Sequence, residues 1–502
     1  MKNRARFFYN GILLTLVALA IRSVSLGLNA FTANSIGAEG IGLFTLIGTV
    51  YAFAVTFATS GISLSVTRLV SAAIGEGKVE KVRGIVRASL LYSFIFGSFA
   101  TLVLFAFARY FSLNVLSDKR AELSIRILSA SLIPISFSSV FTGYFIGVKR
   151  VSRNATVQVL GQIFKAALSI LLVLQFATRG VEAGVTVLSV CITATEILVF
   201  LVALVEFLID KKRYPKASLG PEFSNVCSIA LPLAVSAYIR SALLSLEHML
   251  IPRCLRRHGE SHSDSLSSYG ILHGMALPVL LYPMSPLSSF SGLLVPEFSE
   301  SEASNDKKRI ERIAAEAFNT TMAYAIAAMV FIITFSEKIG YAIYDSYEAG
   351  SYIFCMSIVI PIMYLDHVTD SMLKGIGEQV FAMWVNISDS LISILLVIIL
   401  LPKVGILGYA IVIIVMEGYN FALSFLRLRK KIKFKIKFVK SGLLPFLCAV
   451  FSANLSSRTF ENSGKFVNSG FLFSEIVFAA SVFLATYLFI TLLFEKRIKK
   501  RA

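Results

Sequence analysis

The sequence predicts an all-α polytopic membrane protein of about fourteen transmembrane helices, arranged as two six-helix lobes in parallel pseudo-repeat plus two C-terminal helices. Three observations carry that expectation. Apolar stretches recur along the whole chain, basic charge gathers in every second connecting loop, and short segments recur at a nearly constant offset.

Composition comes first. The chain has 502 residues, of which 56% are hydrophobic and only 16% charged, with a mean hydropathy of +0.76. A soluble chain of this length carries roughly a quarter charged residues. A membrane span needs about 20 mostly apolar residues. Such stretches fall at about 7–33, 42–70, 87–109, 123–147, 155–177 and 181–209, then at about 226–252, 268–297, 312–336, 351–375, 379–401 and 405–427. Two more follow at about 441–456 and 472–494. No room is left for a sizeable soluble domain. The first stretch is too long for a signal-peptide core and reads as the first membrane helix. The five cysteines (Cys191, Cys227, Cys254, Cys355 and Cys448) form no CxxC pair, so they read as small apolar helix residues rather than disulfides or metal ligands.

Loop charge sets the expected orientation. Lys78, Lys81, Arg83 and Arg87 fill one loop; Lys149, Arg150 and Arg153 the next but one; then Lys211, Lys212, Arg213 and Lys216, and then Lys307, Lys308, Arg309 and Arg312. Roughly 32 cations fall on that side, ~11 on the other and ~5 within helices, which places both termini on the cytoplasmic face of a bacterial-type plasma membrane. The formal charge of +18 is thus mostly topology, and no nucleic-acid partner is implied. The most basic segment, Arg427 to Lys440, holds Lys430, Lys431, Lys433, Lys435, Lys437 and Lys440. It reads either as a retention signal in contact with anionic lipid or as a collecting surface for an acidic lipid head.

The repeat comes third. Ile21-Arg22-Ser23 recurs as Ile239-Arg240-Ser241, at an offset of 218. Ile133-Pro134-Ile135 recurs as Ile360-Pro361-Ile362 (227), and the Ser-Ile-Leu-Leu-Val of 169–173 recurs at 393–397 (224). The unit contains six helices, an even number, so the two halves share one topology. The expected domains are 1–210, 211–430 and the two extra helices with their basic tail at 431–502. Two such lobes facing a central cleft make a transporter.

Charges at bilayer depth are costly and mark candidate sites. Arg22 lies about 15 residues into the first helix and Arg240 about 14 into the seventh, so both stand ~21–22 Å from the basic end. Planar guanidinium forks at matched depth suit a diphosphate. Arg68, toward the basic end of the second helix, either joins them or snorkels to the interface. Glu247, seven residues beyond Arg240, is placed to neutralise it when substrate is absent. Lys165 and Glu196 flank the hairpin turn near Arg179 at depths differing by about 5 Å, which points to a structural ion pair. In the second lobe, Asp389 and Glu417 each lie 14 residues from Lys403, with Asn386 and Asn420 each 17 away. Those four groups suit a coupling Na⁺ or a shared proton. Asp366 and Asp370 are weaker candidates, being nearer the basic end. Pro232, Pro278, Pro283, Pro286 and Pro296 predict bends in helices seven and eight.

At these residues a resemblance emerges. Gly37-Ala-Glu-Gly-Ile-Gly-Leu43, Gly61-Ile-Ser-Leu-Ser-Val-Thr-Arg-Leu-Val-Ser71 and Ser139-Val-Phe-Thr-Gly-Tyr-Phe-Ile-Gly147 resemble the polysaccharide-flippase branch of the multidrug/oligosaccharidyl-lipid/polysaccharide exporter superfamily. Tyr269-Gly-Ile-Leu-His-Gly-Met-Ala-Leu-Pro278 and Leu294-Val-Pro-Glu-Phe-Ser-Glu300 are similar to its sporulation members. The resemblance runs from Arg4 to about Arg429. It implies two six-helix lobes plus two helices, and export of a polyprenyl-pyrophosphate-linked saccharide, a peptidoglycan precursor such as lipid II, for spore cortex or envelope. It also implies cavity arginines on the first, second and seventh helices, matched here by Arg22, Arg68 and Arg240.

The expected function is therefore a flippase working by alternating access, with the lipid-linked saccharide and membrane lipids as partners and envelope-synthesis proteins as further ones. No cofactor is expected beyond a coupling Na⁺ or H⁺. The chain has no GxxxxGK[ST] sequence, so ATP hydrolysis and an enzymatic role are not expected. The alternatives are a multidrug or cation antiporter of the same superfamily and a non-transporting envelope scaffold.

Overall fold

A computed structural model of the chain describes residues 2–176, 179–211, 222–303, 306–462 and 474–487. Every regular element among them is helical. In lipid each backbone N–H and C=O must be satisfied within its own segment, and an apolar helix does this at every turn. Ten helices are long and apolar enough to cross a membrane, or up to twelve when each of two bent pairs is one span. The stretch Leu19–Gly75, 57 residues, is about 85 Å long at helical rise against a hydrocarbon core of about 30 Å. It therefore holds both of the first two expected spans. Its backbone breaks at Gly37 (φ 74°, ψ 173°), a conformation an L side chain rarely adopts. Of the last expected helix, Ser474–Tyr487 is described.

The repeat is visible atom by atom. Ser71 Oγ donates to Gly147 O (3.1 Å), and 228 residues later Ser299 Oγ donates to Gly375 O (2.9 Å). The fourth helix of each repeat is broken at the matching place. Ala121–Ser129 meets Leu132–Gly147 at 43°, and Tyr347–Ser357 meets Ile360–Gly375 at 57°.

The chain forms two compact units, one of Met1–Asn34 with Ile271–Ala502 and one of Ser35–Gly270. They are cut at 34/35 and 270/271, not at 210/211 where the repeat alone puts a boundary. Packing accounts for this. The seventh helix, Glu222–His258, lies against Ile62–Gly75 and Lys81–Ala106. The early segment is tied to residues 271–502 of its own unit by Ser23 Oγ with Tyr282 Oη (2.8 Å), Asn34 Nδ2 to Ile343 O (3.1 Å) and Tyr344 Oη to Asn29 Oδ1 (3.1 Å). The extra helix Leu444–Asn462 packs on Lys307–Tyr344, where Ala449, Ala453 and Phe483 join Ala327 and Val330.

The bends expected from proline appear in helix eight, which breaks into His262–Tyr269, a π turn over Gly270–Ala276, Leu277–Leu281, a 3₁₀ turn over Tyr282–Met284 and Ser285–Ala303. Pro278, Pro283 and Pro286 stand at these junctions, where a missing N–H costs least. Pro232 lies inside the continuous Glu222–His258 helix.

Close helix crossings depend on glycine. A Cβ on Gly42 would fall 1.9 Å from Leu266 O, and one on Gly270 2.2 Å from Ala38 O. Gly42→Ala must push two backbones apart and is expected to cost about 1–3 kcal/mol. A fall of several degrees in melting temperature checks this; Gly48→Ala, which meets nothing within 4 Å, should leave the transition in place.

Candidate functional site

In the unit containing 271–502, Arg22 projects from the Lys2–Thr59 helix with an exposed side chain. Its charge is felt by Tyr364, which is buried, donates to Leu280 O (2.8 Å) and stacks on Tyr324 (6.2 Å between centroids). Tyr324 in turn donates to Pro283 O (2.6 Å). These bonds tie the two tyrosines to the broken stretch of helix eight around Pro283.

The same unit gathers four carboxylates. Asp366 lies within electrostatic range of Asp370, Glu417 and Asp389, and Glu417 within range of Asp389. Asp370 is paired with Lys374 (3.0 Å), one helical turn on. Asn386 Nδ2 instead bonds its own helix at Ala382 O (2.7 Å), and Ser388 meets Tyr419 across the hairpin (3.1 Å). Asn420 is half-buried on Ile406–Lys431. Asp366 is thus the group that joins the acids of the tenth helix to those of the eleventh and twelfth. A four-residue spacing was its only signal in sequence, because the bend before Ile360 changes where that helix runs.

In the unit 35–270, Arg68 on Ile62–Gly75 and Arg240 on Glu222–His258 are both exposed. Among the described residues, no carboxylate lies within ion-pair distance of Arg22, Arg68 or Arg240. Glu247 is buried and within electrostatic range of Tyr269, whose hydroxyl also meets His248 Nδ1 (2.9 Å). Lys165 and Glu196, both half-buried, lie within electrostatic range of each other, with Cys191 close to Lys165 and Tyr51 close to Glu196.

Two further features escaped sequence reasoning. A cavity of about 650 Å³ opens among Val50, Phe53, Phe57, Phe99 and Leu246, with Arg253 at one end donating to the Asn114 and Val115 carbonyls. None of the three exposed arginines lines it. The second is a polar network at the face opposite the basic loops. Arg120 bonds Asp118 and reaches Glu39 (2.7 Å), His262 Nε2 meets Asp118 Oδ2 (3.1 Å), and Ser263 donates to Glu39 (2.7 Å). Burial works against ionising Asp118, yet its bonds from Arg120 and His262 hold the carboxyl below its ordinary value, and Asp118 raises Arg120 in turn. Among the described residues no group of three or more His, Cys, Asp or Glu is arranged to hold a metal.

Comparison with known proteins adds to this geometry. The family model described as "Polysaccharide biosynthesis protein" matches residues 7–302, and the MatE model matches 259–399. Stage V sporulation protein B of Bacillus subtilis (strain 168) is 24% identical over 460 residues, covering 90% of this chain and 89% of that protein. Among solved structures, the lipid II flippase MurJ in an inward closed conformation superposes with a TM-score of 0.69 at 15% identity, covering 97% of this chain and 99% of that one. An inward-facing multidrug-resistance MATE transporter reaches 0.67 at 16% identity, covering 83% and 98%.

Proposed function

The chain belongs to the polysaccharide biosynthesis protein family, and from that premise we propose that it translocates a polyprenyl-pyrophosphate-linked saccharide, a peptidoglycan precursor such as lipid II, in envelope or spore-cortex synthesis. It is a multi-pass membrane transporter of the multidrug/oligosaccharidyl-lipid/polysaccharide exporter superfamily. The observation that carries the substrate class is the set of three exposed arginines on spanning helices, none neutralised by a carboxylate among the described residues. A cation held at bilayer depth without a counter-ion needs an anionic ligand. Arg22, Arg240 and Arg68 take the acidic head, while the polyprenyl tail stays in the bilayer. The names of the flippase relatives support the same class.

Transport forms and breaks no covalent bond. The residues move between accessible faces, with both termini cytoplasmic. Glu247, buried seven residues from Arg240, helps position the seventh helix that carries it. Asp389 and Glu417, with Asn386, Asn420 and the adjacent Asp366, supply the coupling site for Na⁺ or H⁺, where crowded carboxylates favour sharing a cation. Lys165 and Glu196 compensate each other inside the 35–270 unit.

A second reading, a cation or drug antiporter, is favoured by that carboxylate group and by the MatE match over 259–399. One assay separates the two. Purified protein in vesicles should carry labelled lipid II from one leaflet to the other, in proportion to the protein added. Vesicles that leave lipid II in place but accumulate a cationic dye down an imposed ion gradient would move the chain to the antiporters.

A further inference from the structure

Between the spans Ile406–Lys431 and Val439–Arg458 the chain leaves the helix over residues 432–437, beginning with extended backbone at Ile432 (φ −128°, ψ 124°). Both neighbours are membrane helices, so this short link lies in the headgroup layer at one face of the bilayer. The sequence there is Ile-Lys-Phe-Lys-Ile-Lys, and extended backbone sends alternate side chains to opposite sides. Ile432 and Phe434 are buried, at 5% and 4% exposure, and with Ile436 they enter the core around Phe318 and Phe425. Lys433, Lys435 and Lys437 are all exposed on the other side.

Three contacts hold this register. Asn319 Nδ2 donates to Lys435 O (3.1 Å) while its Oδ1 accepts from Lys437 N (2.9 Å), so one amide side chain acts as a stretch of partner strand. Arg429 donates to Phe434 O and stacks over the Phe434 ring (5.3 Å). Just upstream, Lys431 is neutralised by Glu378 (2.7 Å), whereas among the described residues no acid pairs with Lys433, Lys435 or Lys437. Just downstream, Phe438 and Val439 stand 70% and 68% exposed.

We propose that this link is a docking strip for acidic phospholipids, independent of the transported substrate. Lysines 433, 435 and 437 follow one another at about 6.6–6.8 Å, close enough for neighbouring phosphates of packed headgroups. Phe438 and Val439 enter the acyl boundary beside them. The charge complementarity is to the lipid of the protein's own membrane, since only headgroups lie at that depth. Asn319 is a positioning residue: it touches no lipid and keeps the three ammonium groups on one side.

The full-length protein in neutral detergent, titrated with short-chain fluorescent phosphatidylglycerol and phosphatidylcholine, tests the proposal. The wild type should prefer phosphatidylglycerol, with the preference fading as salt rises. The triple variant K433Q/K435Q/K437Q should lose on the order of 100-fold of that preference, at about fivefold per lysine. The triple arginine variant at these positions should keep it. Asn319→Ala should weaken it with all lysines present. The charge-matched control K307Q/K308Q/R312Q should leave it unchanged. A triple glutamine variant that keeps the preference overturns the proposal, as does an equal loss in the control, which would signify bulk charge alone. Tighter retention of a polyprenyl phosphate than of phosphatidylglycerol would overturn the choice of occupant.

Discussion

Arg22→Ala and Arg240→Ala are each expected to slow flipping of a pyrophosphate-linked lipid by about 10- to 100-fold in reconstituted vesicles. The figure follows from losing a hydrogen bond to a charged group, about 1.5–3 kcal/mol at sites that water reaches only partly. The arginines are exposed and unpaired among the described residues, so removing either leaves no buried acid stranded and should not unfold the protein. Melting temperatures within a degree or two of wild type would establish that point. Lysine at either position restores charge but not the planar fork, and should recover only part of the rate. Arg68→Ala should have a smaller effect, because that side chain stands nearer the membrane surface. Wild-type flipping by both alanine variants would remove the acidic-head assignment altogether.

The second large effect is expected at the carboxylates. Asp389→Asn, Glu417→Gln or Asp366→Asn should uncouple transport from its ion gradient, lowering gradient-driven flux at least about tenfold while leaving slow equilibration intact. Like charges held together disfavour ionisation and welcome a shared cation. Removing one charge removes both the repulsion and the reason to bind the ion. The same substitutions should therefore leave thermal stability unchanged or raise it, the opposite of what loss of a structural ion pair produces. Counterflow with and without an imposed Na⁺ or pH gradient reads the coupling. Flux that stays fully gradient-dependent in all three variants would place the coupling site elsewhere.

Much of the architecture was legible because the bilayer imposes simple rules. Span length and loop charge mark the helices, and the recurrence of Ile-Arg-Ser and Ile-Pro-Ile announces a repeat that the matched Ser71–Gly147 and Ser299–Gly375 contacts also display. The candidate arginines were legible for a related reason: a guanidinium in an apolar run has few ordinary explanations. Less was visible where tertiary packing decides. Nothing in the period of Glu222–His258 says that it groups with residues 35–210, or that residues 1–34 group with 271–502. Asp366 looked peripheral until the bend before its helix brought it near Asp389 and Glu417. The run from Lys430 to Lys440 read as a basic segment for anionic lipid or an acidic lipid head, but which lysines share a side was hidden, because a two-residue alternation only acquires meaning once the burial of Ile432 and Phe434 is known. The Asp118–Arg120–Glu39–His262 network unites loops far apart in sequence, a joining no local pattern announces.

The interleaving of the two units has a consequence for biogenesis. Residues 35–270 are contiguous and can condense as soon as they leave the ribosome, whereas residues 1–34 belong with a partner set that begins only at 271. At about 5–20 residues per second, the first helix waits some ten seconds or more before Tyr282 and Ile343 exist to receive Ser23 and Asn34. During that interval a helix bearing an unpaired Arg22 must be held in or beside the insertion machinery.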